Sequence, residues 1–151
     1  MLKHRSRGMT LIELAITLVI VALLASAAVP GWQQQVYRTR RSDAITTLAQ
    51  LQQAQERWRS QRPVYASGLD PDGLHLPAVS PAGHYDVGTS VLPETAHSGY
   101  RVTATARGAQ AGDTHCRWLA LDVTAGQLHH RSGPDAQLAN TTLQNLQCWK
   151  S

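Results

Sequence analysis

Arg7-Gly8-Met9-Thr10-Leu11-Ile12-Glu13-Leu14 opens the stretch that decides the architecture. From Met9 to Val29 there are 21 residues, and Glu13 alone among them carries a formal charge. As a helix rising about 1.5 Å per residue, this run is roughly 31 Å long, enough to cross a bilayer core. Ahead of it stands Met1-Leu2-Lys3-His4-Arg5-Ser6-Arg7-Gly8, which is basic and has no acid. Basic residues beside an apolar segment hold that flank in the cytoplasm. The rest of the chain is therefore expected beyond the membrane, where an oxidising compartment makes its two cysteines disulfide candidates.

Around this run lies a chain of 151 residues with 14 Lys and Arg, 10 Asp and Glu, and a net charge of +4. That length supports one domain with a core. Mean hydropathy is −0.26, which excludes a multi-pass membrane protein, and a hydrophobic fraction of 42% excludes a disordered chain. Two cysteines make neither a disulfide-dense scaffold nor the usual four-ligand zinc site.

Three readings of the N-terminus compete. Ala25-Ser26-Ala27 has the small-x-small form of a signal-peptide cleavage site, which would release a soluble protein. A one-span anchor is the second reading. The third starts from Glu13, because a carboxylate well inside a bilayer costs about 2.5–3.5 kcal/mol and a signal peptide gives it no purpose, although near the headgroups the helix dipole would favour it.

Arg7-Gly8-Met9-Thr10-Leu11-Ile12-Glu13-Leu14 resembles the processing site of type IV prepilins. The resemblance implies that a membrane-bound prepilin peptidase cuts between Gly8 and Met9 and methylates the new amino group of Met9. Glycine suits a close-fitting protease subsite that tolerates no side chain at the cut. Glu13, the fifth residue after the cut, would pair with the amino terminus of a neighbouring subunit, so that two costly buried charges neutralise each other. The family most often begins its mature chain with Phe, and here Met9 takes that place. Pro30 falls where related pilins carry a helix-distorting proline, and a kink or locally melted turn is expected there. Removing residues 1–8 would take away Lys3, Arg5 and Arg7 and lower the net charge from +4 to +1.

From Trp32 to Gln61 there is no Gly or Pro. Tyr37, Ala44, Leu48, Leu51 and Trp58 recur at helical spacing, with Ile45 and Ala54 alongside, giving one apolar stripe on a polar helix. Arg38, Arg40, Arg41, Arg57, Arg59 and Arg62 are assigned on or near its polar face, solvated by default, with contacts to other subunits or to nucleic acid as the sharper options. Pro63 ends the helix, and Asp70-Pro71-Asp72-Gly73 reads as a turn because it lacks the further acids of a calcium loop. Glu56-Arg57-Trp58 through Tyr65-Ala66 resembles the helix end and loop of one minor-pilin group.

Four segments read as strands: His84 to Val91, Tyr100 to Arg107, Cys116 to Thr124 and Gln127 to Arg131, the last two joined by Ala125-Gly126. Short links favour an antiparallel meander packed on the helical stripe, an α+β arrangement. A Cys116–Cys148 bond would tie the tail from Pro134 to Trp149 back to the third strand. The series Tyr100-Arg101-Val102-Thr103-Ala104-Thr105-Ala106, Cys116, Leu119-Ala120-Leu121-Asp122, Gly126 and Cys148-Trp149 resembles the PilE-type minor pilins of type IV pili. That resemblance implies the type IV pilin fold, in which a long N-terminal helix packs on a four-stranded antiparallel sheet with a disulfide-bounded C-terminal loop.

The expected organisation is a leader over 1–8, a hydrophobic half-helix over 9–30 and a globular head over 31–151. The head divides into an amphipathic half-helix to about 61, a loop over 62–83, a sheet over 84–131 and a C-terminal loop over 132–151. No phosphate loop, catalytic carboxylate pair or nucleophile motif appears, so no enzyme and no cofactor is expected. His129 and His130 are adjacent on a strand and point to opposite faces, so with His115 they do not read as a metal site. The function implied is a minor pilin, made in the inner membrane with a periplasmic head and then carried in the surface pilus. Its partners are prepilin peptidase and other major and minor pilins, and its roles are assembly, twitching motility and adhesion to a surface ligand. Two alternatives stay open. One is a DNA-binding minor pilin for competence using Arg101, Arg107, Arg117 and Arg131, and the other is a type II secretion pseudopilin.

Overall fold

A chain with neither Gly nor Pro between Trp32 and Gln61, rich in Gln, Arg, Ala and Leu, has little to interrupt a helix. The computed structural model describes residues 10–91 and 96–150, and in it helix α1 runs from Leu11 to Arg59. Thr10 starts it, its hydroxyl accepting the Glu13 N–H at 3.3 Å. Arg57 and Arg59 lie in the last turn, where cations suit the helix dipole, and Pro63 follows. Pro30 falls inside α1 rather than at an end.

The chain forms two compact units, one up to Gln35 and the other from Val36 to Ser151. The first carries the apolar part of α1. It is long and apolar enough to cross a membrane, and among the described residues its large apolar side chains are exposed.

The second unit holds the sheet. Strands β1 (Tyr85–Ser90), β2 (Gly99–Ala106), β3 (Trp118–Thr124) and β4 (Gln127–Gly133) pair antiparallel in the order β1-β2-β3-β4, the expected meander. Ala125 and Gly126, with φ of 50° and 80°, make the β3–β4 turn. A two-residue hairpin with φ positive at both central positions matches the twist of its strands, and glycine adopts that conformation without steric cost.

The alternation along the strands sends Tyr85, Val87, Tyr100, Val102, Ala104, Ala106, Leu119, Leu121 and Val123 to one buried face. Ala44, Leu48 and Leu51 of α1 pack against them. Tyr37 and Trp58, at the ends of the expected stripe, are half-buried.

Buried polar side chains share that stripe, and one of them corrects the sequence reading. Arg41, assigned to the solvated face, is buried. Its Nε and Nη2 donate to the two Asp113 carboxylate oxygens at 2.6 and 2.8 Å, and Nη1 donates to the Gln147 carbonyl at 3.1 Å. Helical spacing alone gives it a core position, and Asp113 makes that position tolerable. Asp113 follows a short 3₁₀ helix, Gly108–Gly112. Gln110 of that helix is buried and sets its Nε2 against the Tyr85 hydroxyl at 3.0 Å. Gln55, also buried, donates to the Ala66 carbonyl at 2.7 Å and accepts its N–H at 2.9 Å, which seats the loop after α1. Asp43 does the same for the approach to β1, accepting from Ser80 Oγ at 2.5 Å and from the Ala82 N–H at 3.2 Å.

The tail is a second correction. Residues 132–151, read as a loop, begin with the end of β4 and contain helix α2, Thr142–Trp149. Thr141 caps α2 by accepting the Gln144 N–H, and the Gln144 side chain accepts the Thr141 N–H at 3.0 Å, a capping box. Cys116 and Cys148 are disulfide-bonded with Cα atoms 5.4 Å apart. Closing a loop of 32 residues stabilises the fold by about 3–4 kcal/mol on the chain-entropy estimate. α2 lies along β4: Asn145 Nδ2 donates to the His130 carbonyl at 2.8 Å and Trp149 Nε1 to that of Arg131 at 3.1 Å.

Removing one partner of the Arg41–Asp113 pair leaves a buried charge alone. Arg41→Met is expected to cost about 3–5 kcal/mol, and joint replacement of Arg41 and Asp113 by apolar residues of similar volume much less. Denaturant unfolding of the detergent-solubilised chain measures both; equal losses would contradict the pairing. Burial pushes the Tyr85 hydroxyl up to about 12 and raises that of Tyr100 as well, where the Glu56 carboxylate adds to burial. The unfolded chain then releases these protons first, near pH 10. Their stabilisation is complete below about pH 10 and is lost as pH rises towards about 12. Unfolding measured across this window should show a falling stability, with a shallower fall in Tyr85→Phe.

Candidate functional site

The apolar part of α1 exposes one large side chain after another, with Leu11 at 89%, Leu24 at 67% and Trp32 at 69%. Within it stands Glu13. Its N–H is taken by Thr10, and its carboxylate has no partner among the described residues. Near the helix N-terminus a negative charge is favoured by the dipole, but an apolar surrounding would still demand a cation for it. Gly8 and Met9, the expected cut, lie outside the described residues, as does the Pro30 side chain.

The second surface is the sheet face turned away from α1. Antiparallel register aligns Ser90, Arg101, Asp122 and His129 across the four strands, and in the next row Gly88, Thr103, Ala120 and Arg131. Arg101 grips Asp122 with both ends of its fork, Nε at 2.6 Å and Nη2 at 2.7 Å. Arg131 Nε reaches the same carboxylate at 3.1 Å. Asp122 is 14% exposed, while Arg101 and Arg131 are 43% and 54% exposed. Two guanidiniums on one carboxylate leave one net positive charge displayed on this face. Its hydrogen bonds to Asp122 also raise the Arg101 pKa, against the opposing pull of burial.

The four arginines named for DNA contact do not form one patch. Arg101 and Arg131 meet at Asp122. Arg107, just past the end of β2, stands six residues from Arg101, roughly 20 Å at strand rise, and pairs with Asp86 at 3.0 Å. Arg117 precedes β3 and turns its Nε to the Ala111 carbonyl at 3.1 Å. His129 lies in the Asp122 row, while His130, on the other face, meets the Trp149 ring edge-on at 4.4 Å. Among the described residues no group of three or more His, Cys, Asp or Glu is arranged to hold a metal.

Asp122 is the residue at the centre of this outer face that the sequence reading missed. Its signal was its parity: in a strand burying Leu119, Leu121 and Val123, it must point outward, opposite an outward Arg101.

Comparison with known proteins gives a consistent result. The sequence family described as "Prokaryotic N-terminal methylation motif" matches residues 3–29. The family described as "Type IV minor pilin ComP, DNA uptake sequence receptor" matches residues 30–120. Fimbrial protein EcpC of Eikenella corrodens is 31% identical over 126 residues, 83% of this chain and 79% of that protein. Type IV major pilin protein PilA of Myxococcus xanthus (strain DK1622) is 39% identical over 62 residues, 41% of this chain but only 28% of that protein.

Proposed function

The chain belongs to the type IV minor pilin family, and from that membership we propose that it is a filament subunit cut by prepilin peptidase between Gly8 and Met9. Before assembly it spans the inner membrane once, over 9–30, with its head (31–151) in the periplasm. After assembly Glu13 meets the methylated Met9 amino group of a neighbouring pilin, and Pro30 bends α1 to fit the filament. One observation carries this reading: the apolar part of α1 is exposed and bears, near its start, the Glu13 carboxylate, which has no partner among the described residues. Such a helix needs an apolar surrounding, and its carboxylate needs a cation; packing against other pilins supplies both. The disulfide-tied tail, Cys116 to Cys148, supports a pilus subunit over a secretion pseudopilin. Contributions to assembly, twitching motility and adhesion follow from a place in the pilus.

A second reading, a DNA receptor for competence, has one specific support. The family matching residues 30–120 is described as a DNA uptake sequence receptor, and Arg101 and Arg131 converge on the outer sheet face.

Replacing Gly8 by a bulky residue should leave the leader attached, seen as a heavier chain still in the membrane; normal cleavage would remove the processing reading. For the DNA reading, full chain in detergent should bind duplex DNA with an affinity that falls as salt rises. Arg101→Ala and Arg131→Ala should each lower the slope of log affinity on log salt by about 1. Binding without salt sensitivity, or none, removes the receptor reading and leaves the filament reading intact.

A further inference from the structure

α1 buries its stripe against the sheet but leaves a neighbouring flank open beside residues 74–81. There the helix and that segment enclose a cavity of about 220 Å³, with Leu51 and Arg57 on one side and Leu76, Pro77, Val79 and Pro81 on the other. This is smaller than the roughly 300–1,000 Å³ of sites that bury a small-molecule ligand, and it suits one anchoring side chain. The groove continues past Arg57 and Leu76 to Trp58 and Arg62.

Its polar groups are unusually free. Arg57 is exposed, and its guanidinium has neither an ion pair nor a hydrogen bond among the described residues, unlike Arg41, Arg101, Arg107 and Arg131. Arg62 stacks 3.6 Å above the Trp58 ring, with no carboxylate attached among the described residues. Among the described residues no acid lines the cavity.

The main chain opposite α1 is open as well. Val79 bridges Asp86, with flanking bonds from Ser80 N–H to the Tyr85 carbonyl (2.9 Å) and from Val87 N–H to the Ala78 carbonyl (2.8 Å). In that antiparallel pattern the N–H and C=O of Val79 itself point away from β1, and neither is bonded among the described residues. Pro77 and Pro81, two residues to either side, have no N–H to offer, so the open edge is a single rung.

We propose that this groove docks an extended segment from the head of a neighbouring pilin. That segment seats an apolar side chain in the cavity, pairs its main chain with Val79, and sets an Asp or Glu on Arg57. The inference rests on the filament reading and adds where on the head, and by what chemistry, the neighbour is held. An apolar floor, a main-chain rung and an unpaired guanidinium together match a peptide. A nucleic acid backbone would leave the floor and the rung unused.

The test uses the full chain in its own cells. A photo-crosslinking residue replaces Gln50, exposed at the cavity mouth, or Gln127, exposed at the start of β4. Linked peptides are identified by mass spectrometry from membranes and sheared pili. The Gln50 position is expected to link to a pilin segment with Asp or Glu within about three residues of the linked site, a reach of about 10 Å along a strand. Arg57→Glu should cut this link about tenfold at equal loading, Arg57→Gln less, and reversing the partner's acid to Arg should restore it to the Arg57→Glu chain. Links from Gln50 that ignore both substitutions, or that go to nucleic acid, overturn the groove. So does a chain present in pili that links only through Gln127. A chain absent from sheared pili, with no pilin linked at either position, defeats the filament reading and the groove with it.

Discussion

A guanidinium cannot lie buried without a carboxylate, and the head is organised around meeting that demand at Arg41. Its fork takes both oxygens of Asp113, and its third contact is the Gln147 carbonyl beside Cys148. One cation therefore joins α1, the connection between β2 and β3, and the C-terminal tail. Asp113 fixes the 3₁₀ turn that carries Gln110, and Gln110 meets the hydroxyl of Tyr85 in the core. With Arg41 at one end of the stripe and Gln55 at the other, Ala44, Leu48 and Leu51 are held in register on the sheet. Slippage of the helix would strand at least one buried polar group.

The tail depends on the same anchor. The disulfide holds Cys148 to the segment before β3, and Arg41 holds the residue next to it. α2 then covers part of β4 through hydrogen bonds to the carbonyls of His130 and Arg131. An edge strand presents unpaired main-chain groups, and filling some of them from the chain's own tail limits unwanted pairing. At the other edge, residues 78–80 bond β1 and leave one rung at Val79 open.

Much of this was legible in the sequence because it obeys simple periods. Tyr100, Val102, Ala104 and Ala106 alternate as a half-buried strand must, and all four are buried. The apolar run from Met9 to Val29 stands out by its length and its single charge. Arg41 was misplaced because residue type outweighed position: it lies three residues before Ala44 and seven before Leu48, squarely on the buried face. Its partner is 72 positions away, so no local pattern announces the pair. α2 was missed because Leu143 and Leu146 are exposed and give no buried stripe. The Thr141 and Gln144 capping box was its only local signal. The convergence of Arg101 and Arg131 on Asp122 depended on strand register, which alternation alone does not supply.

The most direct test of the central claim is mass spectrometry of the native protein recovered from sheared, purified pili. A subunit processed and assembled as proposed gives an N-terminal peptide that begins at Met9 and carries a methyl group on its amino nitrogen. A chain that begins after Ala27 in the soluble fraction, or that retains residues 1–8 and never enters the pilus, would contradict it.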